Sequence, residues 1–172
     1  MGSDQLRAFA LAAVLLCAAC GGTTTSSPTG TATVDSVRDG DTILLEDGRR
    51  VRLVQVDAPE LGVECWGDES FEALEGLAPA GTELRLERDP QLDDVDRHGR
   101  LLRYAHAGTT NLNLEAVRAG AAAPYFYRSE RGRFARELEA AARVAQMERR
   151  GLWGGCPRAR LRPERQIETG RP

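Results

Sequence analysis

Hydrophobic and polar positions alternate, imperfectly, over residues 31–38. After the turn at Asp39-Gly40-Asp41, the run Thr42-Ile43-Leu44-Leu45 leads through Glu46-Asp47-Gly48-Arg49 into residues 50–56. A period of two punctuated by Asp/Gly pairs predicts three antiparallel strands joined by tight turns. Residues 83–88, with Leu84 and Leu86 on one face, and residues 101–105 add two strands around a polar loop containing residues 93–99. Elsewhere the apolar spacing changes to three and four: Phe71, Leu74 and Leu77 share one face of a helix over 67–77, and Leu114 and Val117 one face of a helix over 111–119. The longest helix is predicted over 130–150, with a stripe of Phe134, Leu138, Ala141, Val144 and Ala145, Ser129 as its cap and Gly151 as its stop. Leu152 and Trp153 beyond that stop are expected to plug the core. Five short strands with about three interleaved helices predict an α+β chain built on a five-stranded OB-type β-barrel.

The two ends read differently. In residues 1–19, Arg7 precedes an apolar run from Ala8 to Ala19, too short for a comfortable membrane span and patterned as an export signal. The small residues Ala18 and Ala19 before Cys20 resemble a bacterial lipobox, which makes Cys20 the expected lipidation site and membrane anchor; ordinary secretion is the alternative. Residues 20–30, rich in Gly, Thr, Ser and Pro, have the composition of a flexible linker, residues 31–156 that of the folded domain, and residues 157–172, with five Arg, two Glu and three Pro, that of a disordered tail. Cys65 and Cys156 remain, and in the oxidising compartment an export signal implies they are expected to pair.

Charge narrows the partners. The net charge is −3, and all 23 basic residues are Arg, a bias of codon usage rather than a basic footprint. Without such a footprint, binding to nucleic acid in the absence of a divalent ion is expected to be weak and salt-sensitive. There is no internal repeat, zinc-type Cys/His pattern or Gly-rich phosphate loop, and His98 and His106 are too isolated to suggest a metal centre.

Three short runs carry chemistry: Asp39-Gly40-Asp41-Thr42, then Arg52-Leu53-Val54-Gln55-Val56-Asp57-Ala58-Pro59-Glu60, then Asp96-Arg97-His98-Gly99-Arg100. A phosphodiester attacked by water gains negative charge on its phosphoryl oxygens. It therefore calls for a divalent ion on hard carboxylates, for guanidinium donors, and for a group that orients or deprotonates the water. Asp41 and Asp57 suit the ion, Arg52 and Arg100 the phosphate, and Glu60 the water. Oxygen ligands completed by water favour calcium, which tolerates irregular geometry. One obstacle is visible: strict alternation sends Arg52 and Asp57 to opposite faces of a strand, so a bulge or a strand end must lie between them.

In order and spacing these runs resemble the staphylococcal (thermo)nuclease family, whose members carry DGDT, R-L-x-x-V-D-x-P-E and D-x-x-G-R in that sequence; the resemblance spans about residues 31–156. It implies that the five side chains converge, that the backbone carbonyl of Ala58, where the archetype has Thr, joins Asp41 and Asp57 on the metal, and that Arg52, Glu60 and Arg100 are catalytic. It also places Arg97 and His98 near the nucleotide, where the archetype has Lys and Tyr, and Tyr125 and Tyr127 in the aromatic segment flanking the base. Asp96 then orients the loop bearing Arg100. The function so implied is calcium-dependent cleavage of DNA or RNA, with little sequence preference and 3′-phosphate products; a monomer is expected, and the export signal and Cys20 put it in the cell envelope. Two other classes stay open: a catalytically silent OB-type nucleic-acid-binding lipoprotein, and a structural envelope lipoprotein. Neither requires this ordered set of charges.

Overall fold

The computed structural model describes residues 29–171; the export signal, Cys20 and most of the linker lie outside the described residues. Strand β1 (Thr29–Asp39) begins two residues before the expected domain start. It pairs antiparallel with two neighbours, β5 (Glu83–Glu87) along its first half and β2 (Thr42–Leu45) along its second. Register shifts between Val34 and Ser36 and between Val37 and Asp39 bend it so that one strand serves both partners. Strand β3 (Arg50–Leu53) pairs with β2, while β6 (Leu101–Ala107) pairs with β5 and, in parallel, with β3. That last pairing closes the five strands into the expected OB-type barrel.

The remaining elements are short. Strand β4 (Val56–Asp57) pairs with β8 (Ala123–Pro124), and β7 (Thr110–Asn111) extends β6. Helix α1 (Gly67–Leu77) lies where predicted, burying Leu74 with Phe71 and Leu77 partly covered. Helix α2 (Leu112–Ala119) is capped by the Asn111 side chain, which accepts from the Leu114 N–H at 3.2 Å. Helix α3 (Ala135–Met147) is shorter than predicted at both ends. The residues before it are tied to the barrel instead: Gln55 accepts from the Gly132 N–H and donates to the Glu130 carbonyl, and Asp89 accepts from the Arg133 N–H. Ser129 therefore sits in a 3-10 turn and is not a helix cap, and Val144, expected in the apolar stripe, is exposed. Helix α4 (Leu152–Gly155) buries Leu152 as expected. Among the described residues no helix is long and apolar enough to cross a membrane.

Two apolar clusters result. The larger fills the barrel and the space beneath α1, α2 and α3, with Val34, Ile43, Leu53, Leu84, Leu112, Phe126 and Leu138 fully enclosed. The smaller gathers Ala123, Leu152, Cys156, Ala159 and Ile167 around Cys65, Trp66 and Trp153. Cys65 and Cys156 form the expected disulfide, their Cα atoms 6.0 Å apart. The tail departs from expectation. Residues 157–171 are not a loose terminus: Ala159, Ile167 and Thr169 are buried, and the Cys65 N–H donates to the Gly170 carbonyl at 2.7 Å. Arg and Pro dominate the composition of this segment, but Ala159 and Ile167 fall where the disulfide cluster covers them and Leu161 packs against the larger core.

Candidate active site

The two aspartates come from two tight turns. Gly40 and Asp41 form the β1–β2 turn, and the Asp41 carbonyl accepts from the Leu53 N–H at 2.8 Å, pinning that turn beside the end of β3. Gly40 is required by proximity: a Cβ there would stand 2.6 Å from that of Ala58 and 2.7 Å from that of Ser70. On the other side the chain leaves β3 through a sharp turn at Val54-Gln55, where Gln55 adopts a positive φ of 63°. This turn removes the obstacle raised by strand alternation, because it rotates Asp57 back onto the side that Arg52 faces. Gln55 is held in that uncommon conformation by its side chain, which bonds the Tyr104 hydroxyl, the Gly132 N–H and the Glu130 carbonyl. The Asn113 side chain donates to the Val54 carbonyl and fixes the other half of the turn.

Arg52 therefore sits between both carboxylates. Its Nη2 lies 2.9 Å from Asp41 Oδ2 and 2.7 Å from Asp57 Oδ1, while Nη1 donates to the carbonyls of Leu53 and Val56. Asp41 also accepts from the Ala58 N–H and the Thr42 hydroxyl, and Asp57 Oδ2 from the Ile167 N–H at 2.8 Å. One guanidinium faces two buried carboxylates, with Asp39 and Glu60 adding negative charge nearby. Burial accordingly pushes the Asp41 carboxyl up to about 7, against the pull of Arg52. Burial also raises Asp57, opposed by Arg52, the Ile167 N–H and the Gln166 side chain.

These groups line a narrow cleft of about 70 Å³, which also includes Ala58, Glu60, Arg100 and Gln166. Among the described residues no three His, Cys, Asp or Glu side chains form a ready-made metal cage. The donor chemistry nevertheless fits a hard divalent cation. The carboxylates present oxygen ligands, the cluster carries more negative than positive charge, and each carboxylate retains lone pairs beyond the bonds described.

Glu60 opens the loop before α1 and is exposed on the cleft wall. Its carbonyl accepts from the N–H groups of Val63 and Glu64, and it packs so closely on Gly67 that a Cβ there would lie 2.2 Å from the Glu60 carbonyl oxygen. Arg100 reaches the cleft from the β5–β6 loop. Asp96 Oδ1 accepts from the N–H groups of His98 and Arg100, and its Oδ2 from Arg100 Nε at 2.7 Å. Burial alone would raise Asp96, but these bonds from Arg100 and His98 outweigh it and hold the carboxyl below its ordinary value. Arg100 Nη1 approaches the Thr42 hydroxyl at 3.3 Å, spanning from its own loop to the β1–β2 turn.

A second, larger cleft of about 520 Å³ adjoins the first, sharing Arg52, Arg100 and Gln166 with it. Arg97, His98, Tyr125 and Tyr127 all line it. Tyr125 and Tyr127 meet edge to face with ring centroids 6.4 Å apart, and Tyr127 is 54% exposed. The side chains expected to serve metal, catalysis and substrate thus line two adjoining clefts. Gln166 and the Ile167 N–H were not foreseen. They belong to a polar segment whose sequence carries no motif, and only the buried Ile167 hints that it docks.

The family model described as "Staphylococcal nuclease homologue" matches residues 50–155. The chain is 31% identical over 125 residues to a thermonuclease of Staphylococcus hyicus, covering 68% of this chain and 72% of that protein. It is 30% identical over 129 residues to a thermonuclease of Staphylococcus intermedius, covering 70% and 74%. With this fold, these converging motifs and these relatives, the chain belongs to the staphylococcal nuclease family.

Proposed function

We propose that this protein is a calcium-dependent nuclease that hydrolyses phosphodiester bonds of DNA or RNA, or both, with little sequence preference. The observation that carries the reading is that Asp41, Arg52, Asp57, Glu60 and Arg100 line one cleft, which opens directly into a larger one. Asp41 and Asp57, with the Ala58 carbonyl, would hold the calcium ion; when bound, the ion supplies positive charge to the phosphoryl oxygens.

The chain's own residues do the rest. Glu60, exposed at the cleft wall, orients the attacking water and accepts its proton. Arg100, fixed at Nε by Asp96, presents its remaining N–H groups to the phosphoryl oxygens as their charge grows. Arg52 holds the two aspartates in register and lends positive charge to the phosphate. Arg97 and His98 meet the neighbouring backbone, and the rings of Tyr125 and Tyr127 offer apolar faces to a base. The acidic net charge makes substrate capture depend on the ion and on local arginines.

The same proposal includes export and anchoring at Cys20, for which the leader composition and the Cys65–Cys156 disulfide are the support. The decisive test is incubation of the purified protein with single-stranded DNA in calcium or in chelator. Cleavage in calcium alone is expected; equal absence of cleavage in both would leave a nucleic-acid-binding module.

A further inference from the structure

The segment 157–171 is tied down along its whole length. It begins at Cys156, bonded to Cys65, and returns to the same residue, where the Cys65 N–H donates to the Gly170 carbonyl and the Thr169 hydroxyl donates to the Cys65 carbonyl at 2.7 Å. Between these anchors the Phe126 N–H donates to the Pro163 carbonyl, and Ala159 and Ile167 are buried in the smaller apolar cluster. Fixing a backbone residue costs about 1–2 kcal/mol of conformational entropy, so a polar segment is ordered only where such ties offset the loss. What this strap brings to the protein lies at its crest. The Ile167 N–H donates to Asp57 Oδ2 at 2.8 Å, and Gln166 lines both the acidic cleft and the larger cleft beside it.

We propose that Gln166 and the Ile167 N–H are positioning elements of the nuclease site: the amide fixes the Asp57 carboxylate for a divalent cation, and Gln166 walls the passage between the two clefts. The inference rests on the functional reading above. A carboxylate's terminal torsion is broad and weakly restrained, so a carboxylate bonded on one oxygen alone can swing. Arg52 holds Asp57 Oδ1, and the strap amide holds Oδ2. Together with the Gln166 side chain, which bonds the same carboxylate, they set the plane of the group, and the carboxylate retains lone-pair capacity for the ion. The covalent and hydrogen-bonded ties at Cys65 keep the amide in place, which couples the disulfide cluster to the ligand geometry.

Partners that orient a metal ligand typically contribute about 10–100-fold to metal affinity. Calcium titration calorimetry on the parent, Ile167→Pro and Gln166→Ala, with melting of each in chelator, tests the assignment. Ile167→Pro removes the N–H and is expected to weaken calcium binding by about tenfold or more. Gln166→Ala, at an exposed position, is expected to weaken it severalfold with its melting midpoint in chelator unchanged. A structural role alone would lower the melting point and leave calcium affinity intact. If Ile167→Pro fails to fold, Gln166→Ala decides. Parental calcium affinity in Gln166→Ala and in folded Ile167→Pro overturns the strap's role. A parent that neither binds calcium nor cleaves overturns the functional reading beneath it.

Discussion

The two adjoining clefts solve different problems with the same residue types. In the smaller one, Arg52 is almost fully buried and each of its terminal nitrogens is committed to protein oxygens. In the larger one, the side chains of Arg97 and His98 are exposed and bond each other, Arg97 Nε donating to His98 Nε2 at 3.0 Å. Buried charge must be paired and hydrogen-bonded, and such a network holds one geometry. Exposed charge is screened and adaptable. The first arrangement suits a single ion, and the second suits a polymer whose sequence varies. Arg100 belongs to both: its Nε is anchored by Asp96 and its outer edge faces the junction.

If that division is correct, substitutions around the small cleft act on turnover and those in the large cleft on affinity. The largest effect is expected from Glu60→Ala, a loss of about 10²–10⁴ in turnover. Single-turnover cleavage at saturating DNA would measure it, and a change confined to KM would remove Glu60 from the chemistry. Arg100→Lys keeps the charge but loses the planar fork, so turnover is expected to fall about a hundredfold with a much smaller change in nucleotide affinity. Unchanged cleavage would reduce Arg100 to a surface charge.

The buried charge also predicts a pH dependence. The folded carboxyl of Asp41 lies near 7 against an ordinary value of 3.8. Between about pH 4 and 7 the folded chain therefore keeps a proton there that the unfolded chain has released, and raising the pH through this window costs stability. His106 works in the opposite sense, since burial and Arg85 hold it below its ordinary value. Comparison with Asp41→Asn, which retains His106, isolates the aspartate. In chelator, Asp41→Asn is expected to melt above the parent at pH 7.5, with the difference shrinking at pH 5. An equal difference at both pH values would contradict an under-compensated cleft. The smallest effect is expected in the large cleft, where Tyr127→Ala should weaken single-stranded DNA binding by about 1 kcal/mol, near fivefold, at constant turnover. A loss of turnover at saturating DNA would place Tyr127 in the chemistry instead.

How much of this was legible in the sequence follows the range of each interaction. Alternation and Asp/Gly turns locate β1, β2 and β3 because both signals are local. The convergence of Arg52 with Asp57 was not legible from spacing, since it depends on a positive φ at Gln55, a residue that rarely adopts it. That conformation is held by Tyr104, Gly132 and Glu130, all distant in sequence. The same contacts explain the late start of α3, whose expected start rests on Ser129 as a cap while its apolar stripe begins only at Phe134. The strap was hidden for a related reason. Arg- and Pro-rich composition predicts disorder, and only the tertiary ties at Cys65, Phe126 and Asp57 reverse it.

The claim at the centre of this account is that the small cleft is a divalent-cation site assembled from Asp41 and Asp57. Calcium titration into the parent and into Asp41→Asn at pH 7.5 tests it most directly. The account predicts one calcium ion bound per parent chain and a loss of that binding in a folded Asp41→Asn. Equal calcium affinity in the two proteins, or no calcium bound by a folded parent, would contradict it.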